Sequence, residues 1–148
     1  MIARRPRRGR REGLRGSAGQ AQSRSVDSLG FVSSASGIEI DVTPERLAAW
    51  LEQDPELQLI DVREPYERDA GHIAGSRHIE LTKLSIEAST LDPDLPVVFY
   101  CRVGGRSTMA AQALRASGVQ AYSLDGGLVR WADEQRPLAP DGGYVAEH

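Results

Sequence analysis

Short apolar runs alternate with helix-like patterns over most of the chain. Residues 57–62, 96–100 and 119–124 are mostly apolar and predict buried strands, and 96–100, which is β-branched and aromatic, gives the strongest strand signal. Residues 38–40 alternate apolar and polar positions, which is typical of an edge strand, and another short extended piece begins at 78. Strands that alternate with helices favour an α/β fold with a central parallel sheet and helices on both faces.

Helix signals lie between these strands. Thr43 and Pro44 predict an N-cap and a first helical residue, and the apolar positions that follow extend this helix to about 53. Residues 105–117 predict a second long helix, which Gly118 ends. Its expected apolar face consists of Met109, Ala110, Ala113 and Leu114. Shorter helices are expected at about 64–69, at 82–87 with Thr82 as the cap, and at 128–134.

Charge divides the chain into a basic arm and an acidic remainder. Residues 1–24 hold eight arginines and one acidic residue, so the net charge of −3 conceals about +7 here and about −10 elsewhere. Residues 1–37 are rich in Arg, Gly and Ser, which predicts a disordered arm. We predict one folded domain over 38–139 and a C-terminal tail over 140–148.

Several interpretations of the arm stay open. Arginine runs neutralise phosphates, and segments rich in Arg and Ser but poor in acids are typical of transit peptides. No apolar segment of about 7–15 residues follows the arginines, which argues against a twin-arginine export signal. Because no aromatic residues interleave with the arginines, we favour a solvated tail and do not expect a nucleic-acid partner.

Composition also limits the kinds of site. A single cysteine, Cys101, excludes an intramolecular disulfide and an all-cysteine metal site, and the three histidines are too scattered to predict a metal site. No apolar run approaches about 18 residues, so no membrane span is predicted. With no export signal and a lone thiol that suits a reducing compartment, we expect a cytoplasmic protein.

Cys101 follows the strongest predicted strand and precedes a predicted helix. Parallel sheets bind ligands at the carboxyl ends of their strands, so the thiol is expected at the active edge. The loop 101–107 would direct backbone N–H groups toward the thiol, and its glycines, Gly104 and Gly105, would let it curl. Arg102 and Arg106 add positive charge, which favours the nucleophilic thiolate. A buried inert cysteine is the alternative, but such a residue requires neither glycines nor arginines.

Three sequence blocks resemble rhodanese domains, and they occur in the order typical of that family over about residues 38–139. The entry motif is similar to Asp61-Val62-Arg63-Glu64 followed by Gly71-His72-Ile73-Ala74-Gly75-Ser76. The active-site loop is similar to Cys101-Arg102-Val103-Gly104-Gly105-Arg106-Ser107. The closing motif is similar to Leu124-Asp125-Gly126-Gly127-Leu128 with Trp131. One departure is that the family often ends its last helix with a glycine-leucine-proline turn, where this chain has Gln135-Arg136-Pro137.

The resemblance implies a sulfurtransferase that needs no metal or organic cofactor. The Cys101 thiolate would take sulfur from a small anionic donor such as thiosulfate and pass it, as a persulfide, to cyanide or a thiol. The remaining loop residues would cradle that persulfide, with the two arginines attracting the donor: Arg102, Val103, Gly104, Gly105, Arg106 and Ser107. Asp61 and Arg63 would organise the site through ionic and hydrogen-bonding contacts, and His72 is expected to be a hydrogen-bonded residue in a turn.

Loop length separates sulfur chemistry from phosphate chemistry. A cysteine-based phosphatase needs one residue more between cysteine and arginine than the four that separate Cys101 from Arg106. Two other functions stay open. One is a persulfide carrier in a protein-to-protein sulfur relay, and the other is a non-catalytic regulatory or binding module. The intact Cys101 argues against the second, since an inactive copy has little reason to keep the thiol.

Overall fold

A computed structural model describes residues 39–148, so the arm predicted over 1–37 lies outside the described residues. Residues Ile40–His148 form one unit. None of the described helices is long and apolar enough to cross a membrane. In chain order the elements are β1 (Asp41–Val42), α1 (Pro44–Gln53), β2 (Gln58–Asp61), α2 (Pro65–Ala70), β3 (Arg77–His78), α3 (Leu84–Glu87), β4 (Val97–Tyr100), α4 (Gly105–Ala116), β5 (Ala121–Leu124) and α5 (Gly127–Asp133).

The strands form one parallel sheet in the order β1-β5-β4-β2-β3. This confirms the predicted α/β fold with a central parallel sheet. Asp61, the last residue of β2, is in register with Tyr100, the last residue of β4. Because both strands end at the same level, the segments that follow them leave the sheet side by side at its carboxyl edge.

Helices cover both faces of the sheet, as predicted. On one face, Phe99 belongs to a buried apolar cluster with Ala110 and Leu114 of α4. On the other face, Trp50 of α1 meets the Tyr122 ring edge-on, with 5.2 Å between ring centroids. The alternation of side chains along β4 and β5 accounts for this division, since successive residues of a strand point to opposite faces.

Helix α4 buries small residues, and this corrects the face expected from its sequence. The buried side chains are Ser107, Ala110, Ala111 and Leu114. Met109 is 60% exposed, and Ala113 is exposed too. The physical reason is that Ser107, a polar residue, is buried, so the packed face follows the helical spacing from Ser107 to Leu114 and leaves Met109 and Ala113 outside it. Met109 instead lines a groove of about 440 Å³ between α4 and α3.

The ends of α1 and α4 agree with the sequence signals. Thr43 caps α1, and its hydroxyl oxygen accepts a hydrogen bond from the Arg46 N–H at 3.2 Å. Gly118 has a φ of +89°, and the N–H groups of Gly118 and Val119 donate to the carbonyls of Arg115 and Leu114. These two hydrogen bonds end α4 and satisfy two carbonyls that the helix leaves unpaired.

Two short elements differ from the sequence expectations. The edge strand is Asp41–Val42 rather than 38–40, because pairing with β5 begins where the Ile40 carbonyl accepts from the Ser123 N–H, and Val42 is the buried residue. Thr82 does not cap a helix; it lies inside a 3₁₀ turn, Leu81–Lys83, and α3 is a single turn that starts at Leu84.

The chain after α5 turns through a left-handed residue that is not glycine. Trp131 is buried, and its indole N–H donates to the Pro137 carbonyl at 2.9 Å. Gln135 lies in this turn and has a φ of +62°. A side chain with a Cβ disfavours that conformation, so Gln135 carries the backbone strain that a glycine at this place would avoid.

We expect Gln135→Gly to raise the free energy of unfolding by about 1 kcal/mol, because the left-handed conformation costs a residue with a Cβ roughly that much. Urea denaturation measures this as a higher midpoint with an unchanged slope. Gln135→Ala, which removes the side chain but keeps the Cβ, is the matched control. Equal effects of the two substitutions would show that the side chain, and not the backbone, is responsible.

Candidate active site

Cys101 lies directly after β4 and is almost fully buried, with 1% of its surface exposed. Its Sγ accepts a hydrogen bond from the Gly104 N–H at 3.1 Å and another from the Ser107 N–H at 3.4 Å. The Ser107 hydroxyl is 3.5 Å from the same sulfur. Two backbone N–H groups thus direct their partial positive charge at this sulfur.

The curl of the loop is what brings these N–H groups together. Gly104 precedes α4 with a φ of +120°, a conformation that favours glycine. Ser107 belongs to the first turn of α4, where backbone N–H groups have no partner within the helix and the helix dipole is positive. The Val103 side chain, in contrast, is 57% exposed, so of the predicted cradle Gly104 and Ser107 hold the sulfur.

The start of α5 clamps the first residues of this loop. The N–H groups of Leu128 and Val129 donate to the carbonyls of Cys101 and Arg102 at 2.9 and 3.0 Å. A Cβ on Gly127, whose φ is +61°, would overlap the Arg102 carbonyl. The glycine of the closing motif therefore allows two backbones to touch, and its effect is to fix where Cys101 begins the loop.

A buried carboxylate holds the other end of the loop. Glu67 of α2 is fully buried and accepts from both terminal nitrogens of Arg106, at 2.8 and 3.0 Å. Burial would raise the pKa of Glu67, but the hydrogen bonds from Arg106 and from the Glu64 N–H outweigh it, so the pKa lies below its usual value. The same contact raises the pKa of Arg106. This carboxylate neutralises one of the two arginines that the sequence assigns to donor binding.

Sequence analysis did not identify Glu67. Its position three residues after Glu64, with Pro65 between them, is the pattern of a helix N-terminus, and the structure forms that capping box. A local role therefore explains the residue from sequence alone. The contact with Arg106 joins residues 39 positions apart, and only the folded chain shows it.

Asp61 and Arg63 form a buried ion pair behind the site rather than within it. The Arg63 guanidinium donates to both oxygens of Asp61, at 2.9 and 2.8 Å, and to the Gly71 carbonyl at 2.7 Å. It also lies 5.6 Å from the centre of the Tyr100 ring. Within residues 39–148, no hydrogen bond or ion pair joins this pair directly to Cys101. The pair instead fixes the two ends of the segment that carries Glu67.

Further contacts complete the same support. Arg68 donates to the carboxylate of Asp61 at 3.3 Å and to the Ser76 carbonyl at 2.6 Å. The Tyr100 hydroxyl is bonded to Ser76 and accepts from the Ile73 N–H, and burial raises the pKa of Tyr100 to about 12. His72 is hydrogen-bonded to the Arg68 carbonyl, as expected, but it lies in an antiparallel bridge with Ala139 rather than in a turn.

Arg102 has a different environment from Arg106. Its Nε donates to the Ala146 carbonyl at 3.3 Å, and within the described part of the chain no carboxylate pairs with it. The side chain is half-buried. Of the two arginines in the loop, Arg102 therefore keeps a positive charge that an anion can use.

Three groups near this edge have the chemistry of metal ligands. Glu64, Glu67 and His148 place their ligand atoms within 4.8 Å of one another. Both oxygens of Glu67 already accept hydrogen bonds from Arg106, and Glu64 lies 3.5 Å from the His148 ring nitrogen. The arrangement is that of an ion-pair cluster, and a cation here would compete with a guanidinium for the one buried carboxylate.

Known proteins resemble this chain in sequence and in fold. The Rhodanese-like domain family matches residues 43–134. The putative sulfurtransferase YtwF of Bacillus subtilis is 35% identical over 97 residues, which are 66% of this chain and 94% of that protein. The thiosulfate sulfurtransferase GlpE of Pseudomonas aeruginosa is 39% identical over 75 residues, 50% of this chain and 68% of GlpE. The crystal structure of a rhodanese-related protein from Thermoplasma volcanium superposes with a TM-score of 0.61 at 28% identity, covering 67% of this chain and 96% of that one.

Other relatives are longer than the matched region. The chain spans 60% of the uncharacterized protein YqhL of Bacillus subtilis, to which it is 47% identical over 75 residues, half of this chain. It spans 25% of the probable adenylyltransferase/sulfurtransferase MoeZ of Mycobacterium tuberculosis, at 38% identity over 99 residues, 65% of this chain. The domain thus occurs both nearly alone, as in YtwF, and within larger proteins.

We expect Glu67→Gln to lower the free energy of unfolding at neutral pH by about 2 kcal/mol, because it removes one charge from a fork of two charge-assisted hydrogen bonds. Because the pKa of Glu67 is lowered, this difference in the free energy of unfolding depends on pH. The contribution of the carboxylate is complete above its usual pKa of 4.5 and is lost as the pH falls toward the lower value of the folded state. The stability gap between wild type and variant should therefore narrow below pH 4.5.

Thermal denaturation across this pH range measures the gap. Glu52→Gln, which removes an exposed carboxylate of α1, is the matched control and should leave stability within about 0.5 kcal/mol of wild type. A constant gap at every pH would contradict the assignment of a lowered pKa to Glu67.

Proposed function

We propose that this chain, which belongs to the rhodanese-like domain family, moves sulfane sulfur from thiosulfate to cyanide or a thiol through a persulfide on Cys101. The observation that carries the proposal is the pair of backbone N–H groups, from Gly104 and Ser107, that converge on the Cys101 sulfur. Two N–H groups in this arrangement would stabilise the negative charge of a persulfide on that sulfur.

In the first half of the cycle, the Cys101 thiolate attacks the outer sulfur of thiosulfate. A sulfur–sulfur bond forms to Sγ, and the bond between the two thiosulfate sulfurs breaks. Sulfite leaves with that electron pair, so the charge is conserved: a thiolate and a dianion become a persulfide anion and a dianion. No external oxidant or reductant is required, because the sulfane sulfur already has the oxidation state that the persulfide needs.

In the second half, an acceptor removes the outer sulfur. Cyanide attacks it and leaves as thiocyanate, or a thiolate attacks it and leaves as a new persulfide, and Cys101 recovers its thiolate. The positive end of α4 and the Ser107 hydroxyl, 3.5 Å from Sγ, would stabilise the anion throughout. One cysteine suffices, since the second thiol belongs to the acceptor.

Donor binding is assigned to Arg102. Arg106 is paired with Glu67, so the charge that attracts a dianion comes from the arginine that has no described carboxylate partner. The relative GlpE is named a thiosulfate sulfurtransferase, which supports thiosulfate as the donor. The Cys101 thiol must stay reduced to attack the donor, and because the cytoplasm keeps thiols reduced, we place the reaction there.

A second candidate is a persulfide carrier that receives sulfur from one protein and hands it to another. The neutralised charge of Arg106 favours it, since a loop with one available cation is poorly suited to hold a free dianion. The relative MoeZ is named an adenylyltransferase/sulfurtransferase, and a relay partner of that kind is compatible with the same Cys101 chemistry.

Intact-mass measurement after mixing with thiosulfate tests the central claim. We expect a gain of one sulfur atom, about 32 Da, that cyanide reverses with release of thiocyanate. Cys101→Ser should show no gain. If the serine variant gained the same mass, the persulfide would not be on Cys101. Loading by a persulfidated protein, with no loading by thiosulfate, would favour the carrier.

We expect Arg102→Gln to raise the KM for thiosulfate by roughly fivefold with little change in kcat, the effect of losing about 1 kcal/mol of attraction. Added salt should reduce the difference, because a partly exposed charge is screened. Steady-state kinetics with cyanide measures both constants. Arg136→Gln, at the far end of α5, makes the same change of charge and should leave KM unchanged. A fall in kcat alone would contradict a role of Arg102 in donor binding.

A further inference from the structure

We propose that residues 144–147 form a strap that positions Arg102 and limits which molecules reach Cys101. The strap connects the loop that carries the thiol with helix α2, which holds that loop through Glu67. Its sulfur-transfer consequences rest on the proposed function, but its effect on access to the Cys101 thiol does not. The strap makes the site selective for small anionic donors and acceptors over bulky thiols.

Hydrogen bonds fasten the strap to α2 and to the loop that begins with Cys101. The Tyr144 N–H donates to the Ala70 carbonyl at 2.9 Å, and the Tyr66 hydroxyl donates to the Glu147 carbonyl at 3.2 Å, so α2 holds it at two points. On the other side, the Arg102 Nε donates to the Ala146 carbonyl at 3.3 Å. Three backbone groups of four consecutive residues are thus used, and they join α2 to the loop that begins with Cys101.

The backbone of the strap also packs against α2 without a side chain between them. A Cβ on Gly71 would overlap the Tyr144 carbonyl and lie 2.7 Å from the Tyr144 nitrogen. Gly71 has a φ of 176°, an extended conformation that any residue adopts, so the requirement for glycine here comes from this contact. Ala139 pairs with His72, just after α2, and the chain from Ala139 to Tyr144 then returns to the end of α2.

Access to the sulfur requires that some element move. Cys101 is 1% exposed, and a donor or acceptor must reach its Sγ or the sulfur beyond it. The loop itself is held by α5, by the first turn of α4 and by the buried Glu67 carboxylate. The strap is held by backbone bonds at an exposed surface, and Tyr144 is 64% exposed. Segments with few buried contacts open locally at the lowest free energy. The strap is therefore the element that opens, while the loop stays in place.

The contact between the strap and Arg102 links access to the Cys101 thiol with the position of the Arg102 charge. While the Ala146 carbonyl accepts from Nε, the guanidinium is held beside the loop, and its terminal nitrogens, which make no hydrogen bond within residues 39–148, stay available to an anion. A small dianion needs only a small local opening, in which Arg102 keeps its bond to the strap. A bulky thiol needs the strap displaced, and displacement releases Arg102 from its position. Residues 144–147 therefore determine specificity by positioning, without contacting the reacting atoms.

The test uses the fact that Cys101 is the single cysteine of the chain. Alkylation of its thiol by iodoacetamide and by fluorescein maleimide, followed by intact mass, reports access for a small and a bulky reagent. Two variants displace the strap: a chain ended after Gly143, and the full chain with Gly71→Ala. We expect the ratio of bulky to small labelling to rise roughly tenfold in both, as when a local opening that breaks a few hydrogen bonds is no longer required.

Controls separate the strap from a general loss of structure. Tyr66→Phe removes one hydroxyl that holds the strap and should give a smaller rise. Tyr122→Phe removes a hydroxyl that accepts from Gln120 under α1 and should give none. If the shortened chain does not fold, Gly71→Ala and Tyr66→Phe still decide the question. Equal labelling ratios in these variants and in wild type would overturn the proposal.

Kinetics then tests the sulfur-transfer consequence. With the strap displaced, the KM for thiosulfate should rise while kcat with cyanide holds, and glutathione should gain as an acceptor relative to cyanide. A uniform fall of every rate would indicate damage to the fold and overturn the positioning of Arg102. If wild type takes no sulfur from thiosulfate, the proposed function fails, whereas the labelling ratios still test the strap.

Discussion

The fork between Arg106 and Glu67 is the contact on which the geometry of the site depends. It ties the first turn of α4 to α2, two helices that follow different strands of the sheet. Because Glu67 is fully buried, its carboxylate is stable as an anion only while the guanidinium stays in place. The fork therefore fixes the end of the Cys101 loop, because moving Arg106 away would leave a buried charge without its partner. It also determines the charge of the site, since the arginine that orders the loop cannot serve as a free cation.

The other supports act on the same loop from different sides. The buried Asp61–Arg63 pair holds the segment that carries Glu67, and through Glu67 it supports Arg106; it also lies against the ring of Tyr100, the residue before Cys101. The first N–H groups of α5 hold the carbonyls at the beginning of the loop, and Gly127 permits that approach. The sulfur cradle is therefore fixed before any ligand arrives, and an anion formed there meets donors that are already oriented.

The sequence predicted those parts of the molecule that local chemistry decides. The bounds of α1 and α4, the parallel sheet and the loop after β4 all follow from caps, apolar runs and glycines within a few residues. The edge strand was misplaced because two residues carry too little pattern to fix a register. Met109 was misassigned because the buried face of α4 includes the polar Ser107, which a search for apolar positions does not count. The contact of Glu67 with Arg106 and that of Ala146 with Arg102 join residues 39 and 44 positions apart, so no local pattern contains them.

The geometry gives a physical reason for the distinction that loop length first suggested between sulfur and phosphate. A loop that binds a phosphoryl dianion needs an arginine directed at its centre and room for several oxygens. Here both terminal nitrogens of Arg106 are engaged by a carboxylate, and the Gly104 and Ser107 N–H groups are within 3.1 and 3.4 Å of Sγ. A persulfide adds one singly charged atom, which dipoles of the loop and of α4 can stabilise without a second full charge. The short loop and the occupied arginine thus both favour the proposed sulfur chemistry over phosphate chemistry, the first through the length of the loop and the second through its charge.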